Sequence, residues 1–261
     1  MGLTCESCGR GALKKKFNLK CGGEFVIALA GNPNVGKSTV FNELTGLRQH
    51  TGNWPGKTVV NARGNYEYKS MKFLLMDLPG TYSLLANSVE EQVARDFICF
   101  GKPHATVVVV DATCLERNLN LVLQVMELTD NVVVCVNLID EAERKGIFID
   151  IRELEAELGV PVVATVAREG KGLEELKRRI FNVAVGIQTP KAKKIKYSEP
   201  VEEAVSEIEP KIDKVLKGKL DARWVALRLI DGDKTIVDSI HEHIYDEKNV
   251  EIDGEEVKVD A

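Results

Sequence analysis

Gly31-Asn32-Pro33-Asn34-Val35-Gly36-Lys37-Ser38 follows the apolar run Phe25 to Ala30 and precedes a helix-like stretch, Thr39 to Leu47. The GxxxxGKS spacing in that setting predicts a strand delivering a tight turn onto a helix N-terminus, where backbone N–H groups converge on phosphate oxygens. Gly31 and Gly36 permit the backbone angles and the close approach that such a turn needs. Asn32, Pro33, Asn34 and Val35 form the turn itself. Lys37 brings a point charge for the outer phosphates, and the Ser38 hydroxyl is placed to ligate Mg²⁺. Thr39, next in the helix, joins the nucleotide-binding set. The stretch predicts a nucleoside triphosphate site.

The 261 residues suffice for one to two domains with a buried core. A hydrophobic content of 44% with 29% charged residues describes an ordinary globular chain. Its net charge of −5 argues against a broad nucleic-acid footprint. Basic clusters at Lys14–Lys16 and at Lys191, Lys193, Lys194 and Lys196 are expected to be solvated. No run reaches eighteen apolar residues, and residues 1–23 hold no apolar signal-peptide core, so a cytosolic, reducing setting without disulfides is expected. Cys99, Cys114 and Cys135 sit in apolar runs and read as small core residues.

From Glu24 onward β-rich runs alternate with helical ones. Strands are expected at 24–30, 59–68, 72–77, 105–111, 131–137 and 161–165, and helices at 37–47, 88–100, 115–128, 150–158 and 172–184. Val107 to Val110 and Val132 to Val136 are apolar on both faces, as central parallel strands covered by helices require. The pattern predicts an α/β domain with a mostly parallel six-stranded sheet. The short separation of 59–68 from 72–77 predicts a hairpin and one antiparallel edge strand. Past Pro190 the periodicity changes. Val201, Val205, Ile208, Ile212 and Val215 recur at helical spacing, as do Ile236, Ile240 and Ile244, and Pro210 is expected to kink or split the first of these helices. The organisation read from the chain is a Cys-containing tail at 1–23, an α/β domain at 24–189, a small all-α subdomain at 190–250 and an acidic tail at 251–261.

Further site residues follow from strand ends. Asp77, closing the strand 72–77, can hold Mg²⁺, and the Gly80 N–H can meet a γ-phosphate. Asn137-Leu138-Ile139-Asp140 follows the strand 131–137. The Asp140 carboxylate can accept the ring and exocyclic N–H groups of guanine, a pair that adenine lacks. Asn137 is expected to tie this loop to the phosphate loop, and Leu138 stands where Asn-Lys-x-Asp has lysine. Thr165-Val166-Ala167-Arg168 takes the place of the last guanine loop, with the Ala167 N–H expected on the guanine oxygen; Val166 replaces the usual serine, so the bracing hydroxyl is missing.

These motifs have the order and spacing of a TRAFAC-class small GTPase. Gly52-Asn53-Trp54-Pro55-Gly56-Lys57-Thr58 resembles the first switch region of the FeoB ferrous iron transporter family, and Asp77-Leu78-Pro79-Gly80-Thr81-Tyr82-Ser83-Leu84 is a second match. The resemblance spans roughly 24–250. It implies a Ras-like P-loop GTPase fold and a helical subdomain likened to a guanine-nucleotide dissociation inhibitor. It also implies GTP and GDP as ligands, Mg²⁺ held by Ser38, Thr58 and Asp77, and Gly56, Lys57 and Thr58 folding over the nucleotide. Asn34 matches the asparagine that holds K⁺ in potassium-activated relatives; read alone it is also a turn residue tolerant of positive φ. Catalysis would rest on Asn34, Lys37, Thr58 and Gly80. Thr81 stands where Ras-like proteins carry a water-orienting glutamine, so slow, K⁺-stimulated turnover is expected. The implied partners are a C-terminal transmembrane iron-permeation domain, small accessory Feo proteins and a homo-oligomer, at the cytoplasmic face of the cell membrane.

Three further matters are read from the sequence. Cys5, Cys8 and Cys21 form part of a zinc- or iron-binding pattern lacking a fourth ligand in residues 1–23, or are free cysteines on a tail. Trp54 reads as a hydrophobic anchor for a mobile segment. A ribosome-associated assembly GTPase is the competing function, opposed by the acidic balance and by a C-terminal region without a Gly-x-x-Gly RNA-binding loop.

Overall fold

Phe25–Gly31 (β1) and Ala105–Asp111 (β5) are apolar along almost their whole length, and they lie side by side at the centre of one sheet. The computed structural model describes residues 24–46, 49–54, 57–85 and 87–245, so Cys5, Cys8, Cys21, Gly56, Ala86 and the tail 251–261 lie outside the described residues. The sheet order is β2-β3-β4-β1-β5-β6-β7, with β2 at Gln49–Asn53, β3 at Val60–Tyr68, β4 at Met71–Asp77, β6 at Val132–Asn137 and β7 at Val162–Ala164. β4, β1, β5, β6 and β7 are parallel, and β3 runs against β4 through the two-residue turn Lys69-Ser70, both at positive φ.

Two details differ from the sequence expectation. The sheet has seven strands rather than six, and the antiparallel strand β3 is not at the edge, because β2 pairs beyond it. Gln49-His50-Thr51-Gly52-Asn53 has no apolar alternation to announce a strand. Backbone pairing with Val60–Gly64 alone makes it one.

Successive residues of the central strands face opposite layers. On one side Ala28, Met76, Val108 and Val134 pack against helices α2 (Val89–Gly101) and α3 (Leu115–Leu128) through Phe97, Leu121 and Val125. On the other, Ile27, Leu75, Val107 and Cys135 meet α1 (Lys37–Thr45) and α6 (Leu173–Ala184) through Phe41, Leu176 and Ile180. Short helices α4 (Ile139–Arg144) and α5 (Ile151–Leu158) precede β7; the six-residue α4 is too short to show periodicity. Cys99 and Cys135 are core residues, and burial pushes the Cys135 thiol up to about 12. Cys114 is exposed instead, on the turn before α3, where Asn118 donates to its sulfur at 3.2 Å.

Three further helices, α7 (Glu199–Leu216), α8 (Ala222–Ile230) and α9 (Thr235–Ile240), pack together and onto α2; a π turn at His241–Tyr245 follows. α7 runs unbroken through Pro210, correcting the expected split. Val205, Ile208, Ile212 and Leu216 hold it against α8 and offset the lost backbone bond. The buried stripe therefore ends on Leu216, and Val215 is 62% exposed. The basic linker is likewise not simply solvated. Lys191 N–H and Lys193 N–H donate to Gly159 O and Leu158 O, while Lys194 Nζ donates to the Met126 and Glu127 carbonyls at the end of α3. Buried Glu127 accepts from Ile195 N–H at 3.0 Å.

The firmest join between the two helical layers is Arg95 of α2. Its side chain is fully buried, and it donates to Asp96 Oδ1 (2.9 Å), Asp233 Oδ2 (3.1 Å), Thr235 Oγ1 (2.7 Å) and Ser239 Oγ (2.8 Å). Removing one partner of such a pair strands the others without water. Arg95→Ala is expected to lower unfolding free energy by about 3–5 kcal/mol. A urea titration giving a loss below about 1 kcal/mol, the range of exposed pairs, contradicts this account of the junction.

Candidate nucleotide site

β1 ends at Gly31 and α1 begins at Lys37, so residues 32–36 turn the chain at the C-terminal edge of the sheet. The two flanking glycines are there for space. A Cβ on Gly31 would lie 2.6 Å from Val109 O, and one on Gly36, at φ 82°, would lie 2.4 Å from Asn137 Nδ2. Val35 is buried and pins the loop, while Asn34 is exposed at φ 67°. α1 starts on Gly36, which has no side chain to cap it, and its first backbone N–H groups have no acceptors earlier in the helix. That is the arrangement an anion uses.

Lys37 Nζ donates to Asp77 Oδ1 and, at 2.7 Å, to Leu78 O, which joins the loop to the end of β4. Burial pushes the Asp77 carboxyl up and the Lys37 ammonium pulls it back. Ser38 is exposed at the start of α1. Thr81 N–H reaches Gly31 O at 3.3 Å, and Gly80 lies against Pro33. Thr81 itself is buried, as is Asn32, whose Oδ1 has no partner. Lys57 and Thr58 are exposed on the segment after Trp54. Trp54 is buried edge-on against Phe97 at 5.2 Å, so it fastens that segment to the core.

The far end of the site is organised by Asn137, which is 1% exposed at the end of β6. Its Nδ2 donates to Val35 O at 3.0 Å, and its Oδ1 accepts from Thr165 Oγ1 and from Ala167 N–H, each at 3.1 Å. One amide thus ties the phosphate loop to two residues of the turn after β7. The hydroxyl missing at Val166 is supplied one residue earlier by Thr165, whose Oγ1 also lies 3.3 Å from Cys135 Sγ. The Ala167 N–H, expected on a guanine oxygen, is directed at Asn137 instead.

Leu138 adopts φ 61°, uncommon for a residue with a Cβ, and leads into α4. Asp140 is held by one oxygen only. Its Oδ2 accepts from Arg144 at 2.8 Å and from Arg168, while Oδ1 is buried with no partner. Thr165, Arg168 and Arg144 are functional candidates to which motif reading gives no role, because each acts through a bond to Asn137 or Asp140, across 28 residues for the first two and four for the third. The phosphate loop, Asp77, Asn137, Asp140 and the 165–168 turn share the carboxyl ends of β1, β4, β6 and β7, where open α/β sheets bind ligands. An orphan carboxylate oxygen at one end and an uncapped helix at the other fit a purine nucleotide read at both ends.

Among the described residues no helix is long and apolar enough to cross a membrane, and no group of three or more His, Cys, Asp or Glu side chains is placed to hold a metal ion. Comparison with known proteins gives a consistent result. The model of ferrous iron transport protein B matches residues 25–180, and that of the FeoB cytosolic helical domain matches residues 197–259. The Fe(2+) transporter FeoB of Methanocaldococcus jannaschii is 44% identical over 214 residues, which cover 81% of this chain and 31% of that protein. An Fe(2+) transport protein A/Fe(2+) transporter FeoB fusion protein of Porphyromonas gingivalis is 40% identical over 216 residues, 80% of this chain and 25% of that one. The chain therefore spans a quarter to a third of the length of these relatives. The crystal structure of the cytosolic domain of the T. maritima FeoB iron transporter in GMPPNP form superposes with a TM-score of 0.73 at 34% identity, covering 90% of this chain and 88% of that one. The competing ribosome-assembly reading is not favoured by any of these likenesses. With a Ras-like P-loop GTPase fold and both family models matched along its length, the chain belongs to the FeoB family of ferrous iron transport proteins.

Proposed function

We propose that this chain binds GTP and hydrolyses it to GDP and phosphate, and that it thereby regulates or drives Fe²⁺ import by an attached membrane domain at the cytoplasmic face of the cell membrane. The observation that carries the nucleotide reading is the Asn137 side chain, bonded to the phosphate loop on one side, with the orphan Asp140 oxygen three residues on. Guanine supplies the two N–H donors that a carboxylate there lacks; adenine supplies neither in that arrangement. The GMPPNP-form structure of the T. maritima relative supports the same ligand class.

The chain's own residues divide the work. The N–H groups opening α1 receive the phosphates. Lys37 exchanges its Asp77 carboxylate for phosphate oxygens, a substitution that keeps the ammonium paired throughout. Ser38, Asp77 and Thr58 would hold Mg²⁺, which neutralises charge on the phosphate oxygens when bound. Thr58 lies on an exposed segment fixed at Trp54, so it is free to close over the γ-phosphate while the tryptophan stays buried. The buried Thr81 offers no carboxamide to orient a water, so intrinsic turnover is slow. Asn34, exposed on the rim of the loop, is suited to holding K⁺ beside the triphosphate, where the cation takes the part of an arginine finger. The fusion relative supports a small accessory Feo protein as a partner of the whole transporter.

Two measurements test this. Asp140→Ala is expected to weaken GDP by about 100-fold or more, since two hydrogen bonds to a charged group each contribute about 1.5–3 kcal/mol, and to leave ADP unchanged. Calorimetry showing that the parent chain binds ADP as tightly as GDP would remove the basis of the proposal. In phosphate-release assays K⁺ is expected to accelerate hydrolysis over Na⁺ by about tenfold, below the 10³–10⁵ of a supplied arginine finger, and Asn34→Ala to abolish the difference. Equal rates in KCl and NaCl dispose of the cation's role and leave the rest standing.

A further inference from the structure

Asp140 sits in an acidic neighbourhood, with Glu141 and Glu143 on the same helix and Glu169 on the facing turn. A carboxylate on an unrestrained side chain turns freely about its last bond, where the torsional wells are broad and two-fold. Reading two N–H groups of a planar base requires that plane to be fixed. Val166 has no hydroxyl to do so, and Thr165 Oγ1 bonds Asn137 and not Asp140.

Arg168 fills the gap. Its guanidinium bridges two neighbouring carboxylates, Asp140 Oδ2 through one nitrogen and Glu141 Oε1 through the other at 3.2 Å. Its backbone is held in turn. Val166 N–H donates to Lys171 O and Glu169 N–H to Val166 O within the turn, and Ala167 N–H donates to Asn137 Oδ1, so the turn bearing Arg168 is locked to the end of β6, three residues before Asp140. Arg144 adds a second guanidinium to the same Oδ2 at 2.8 Å, and its Nε donates to the Asp140 carbonyl at 3.1 Å. Both cations engage Oδ2 and neither engages Oδ1. Each carboxylate oxygen has two lone pairs, so the two guanidinium donors fill Oδ2 while Oδ1 keeps both acceptor sites. The fork orients the carboxylate without exhausting it.

We propose that Arg168, seconded by Arg144, is the specificity-positioning residue of the base site: it fixes the plane of the Asp140 carboxylate so that the purine 2-amino group is read. The inference rests on the guanine reading above and adds the residue that makes that reading selective. Arg168 is 48% exposed and Arg144 is 64% exposed, so neither pair matters much for folding. Their effect belongs to ligand discrimination.

The test compares GDP with IDP, which lacks only the 2-amino group, and with ADP, by calorimetry on the whole chain at fixed salt. In Arg168→Ala the GDP-to-IDP affinity ratio is expected to fall about tenfold, while IDP affinity itself changes by less than about twofold, since the lost brace acts on the two-point contact that IDP, with its ring N–H alone, does not make. Arg168→Lys, which keeps the charge without the fork, should recover part of the ratio, and Arg144→Ala should lower it less than Arg168→Ala does. A parent chain that separates GDP from IDP, with Arg168→Ala separating them equally well, overturns the proposal and leaves the guanine reading intact. A parent chain that fails to separate GDP from both IDP and ADP overturns the two together.

Discussion

One buried amide holds the site in register. The Asn137 side chain sits where a Cβ on Gly36 would stand, donates to the phosphate loop and accepts from the turn after β7. A fully buried polar group needs all its partners, so the positions of three separate loops are set by the requirements of a single carboxamide. The left-handed Gly36 and the seating of Val35 are the local costs of letting that amide in.

From the node the site extends in two directions with different character. Toward the phosphates the contacts are backbone N–H groups and a lysine parked on Asp77, a charge arrangement ready to exchange one anion for another. Toward the base the contact is a carboxylate gripped from one side by guanidinium groups, with its other oxygen left over. In the proposed reading the first end suits any polyphosphate, and discrimination falls to the second, where the supports are half-exposed and sensitive to salt.

The C-terminal helices are attached with more polar chemistry than their apolar stripes suggest. Arg95 crosses from the helix that follows the Asp77–Leu84 segment into the α8–α9 turn, and Lys194 caps α3 from the linker. The buried guanidinium ties the layers directionally, whereas the apolar contacts of Phe100, Trp224 and Ile236 would tolerate sliding. Movement of α2 is thus felt by α9 without an intervening loop.

The sequence by itself determined the parallel sheet, the phosphate loop, the Asp77 and Asp140 strand ends and the helical region after Pro190. Those features are carried by periodicity, glycine chemistry and residues one turn apart, all of them local. It was silent on β2, whose polar residues form a strand only because β3 offers an edge, and it suggested a break at Pro210 that packing against α8 prevents. It also placed Val215 and Cys114 inside and the linker lysines outside, because a single chain segment does not reveal what covers it. Only the tertiary structure decided that Thr165 supplies the hydroxyl Val166 lacks, that Ala167 serves Asn137, and that Arg168 reaches Asp140 across 28 residues. Hydrogen-bond pairing between distant segments is set by where strands end in space, and no spacing along the chain encodes that distance.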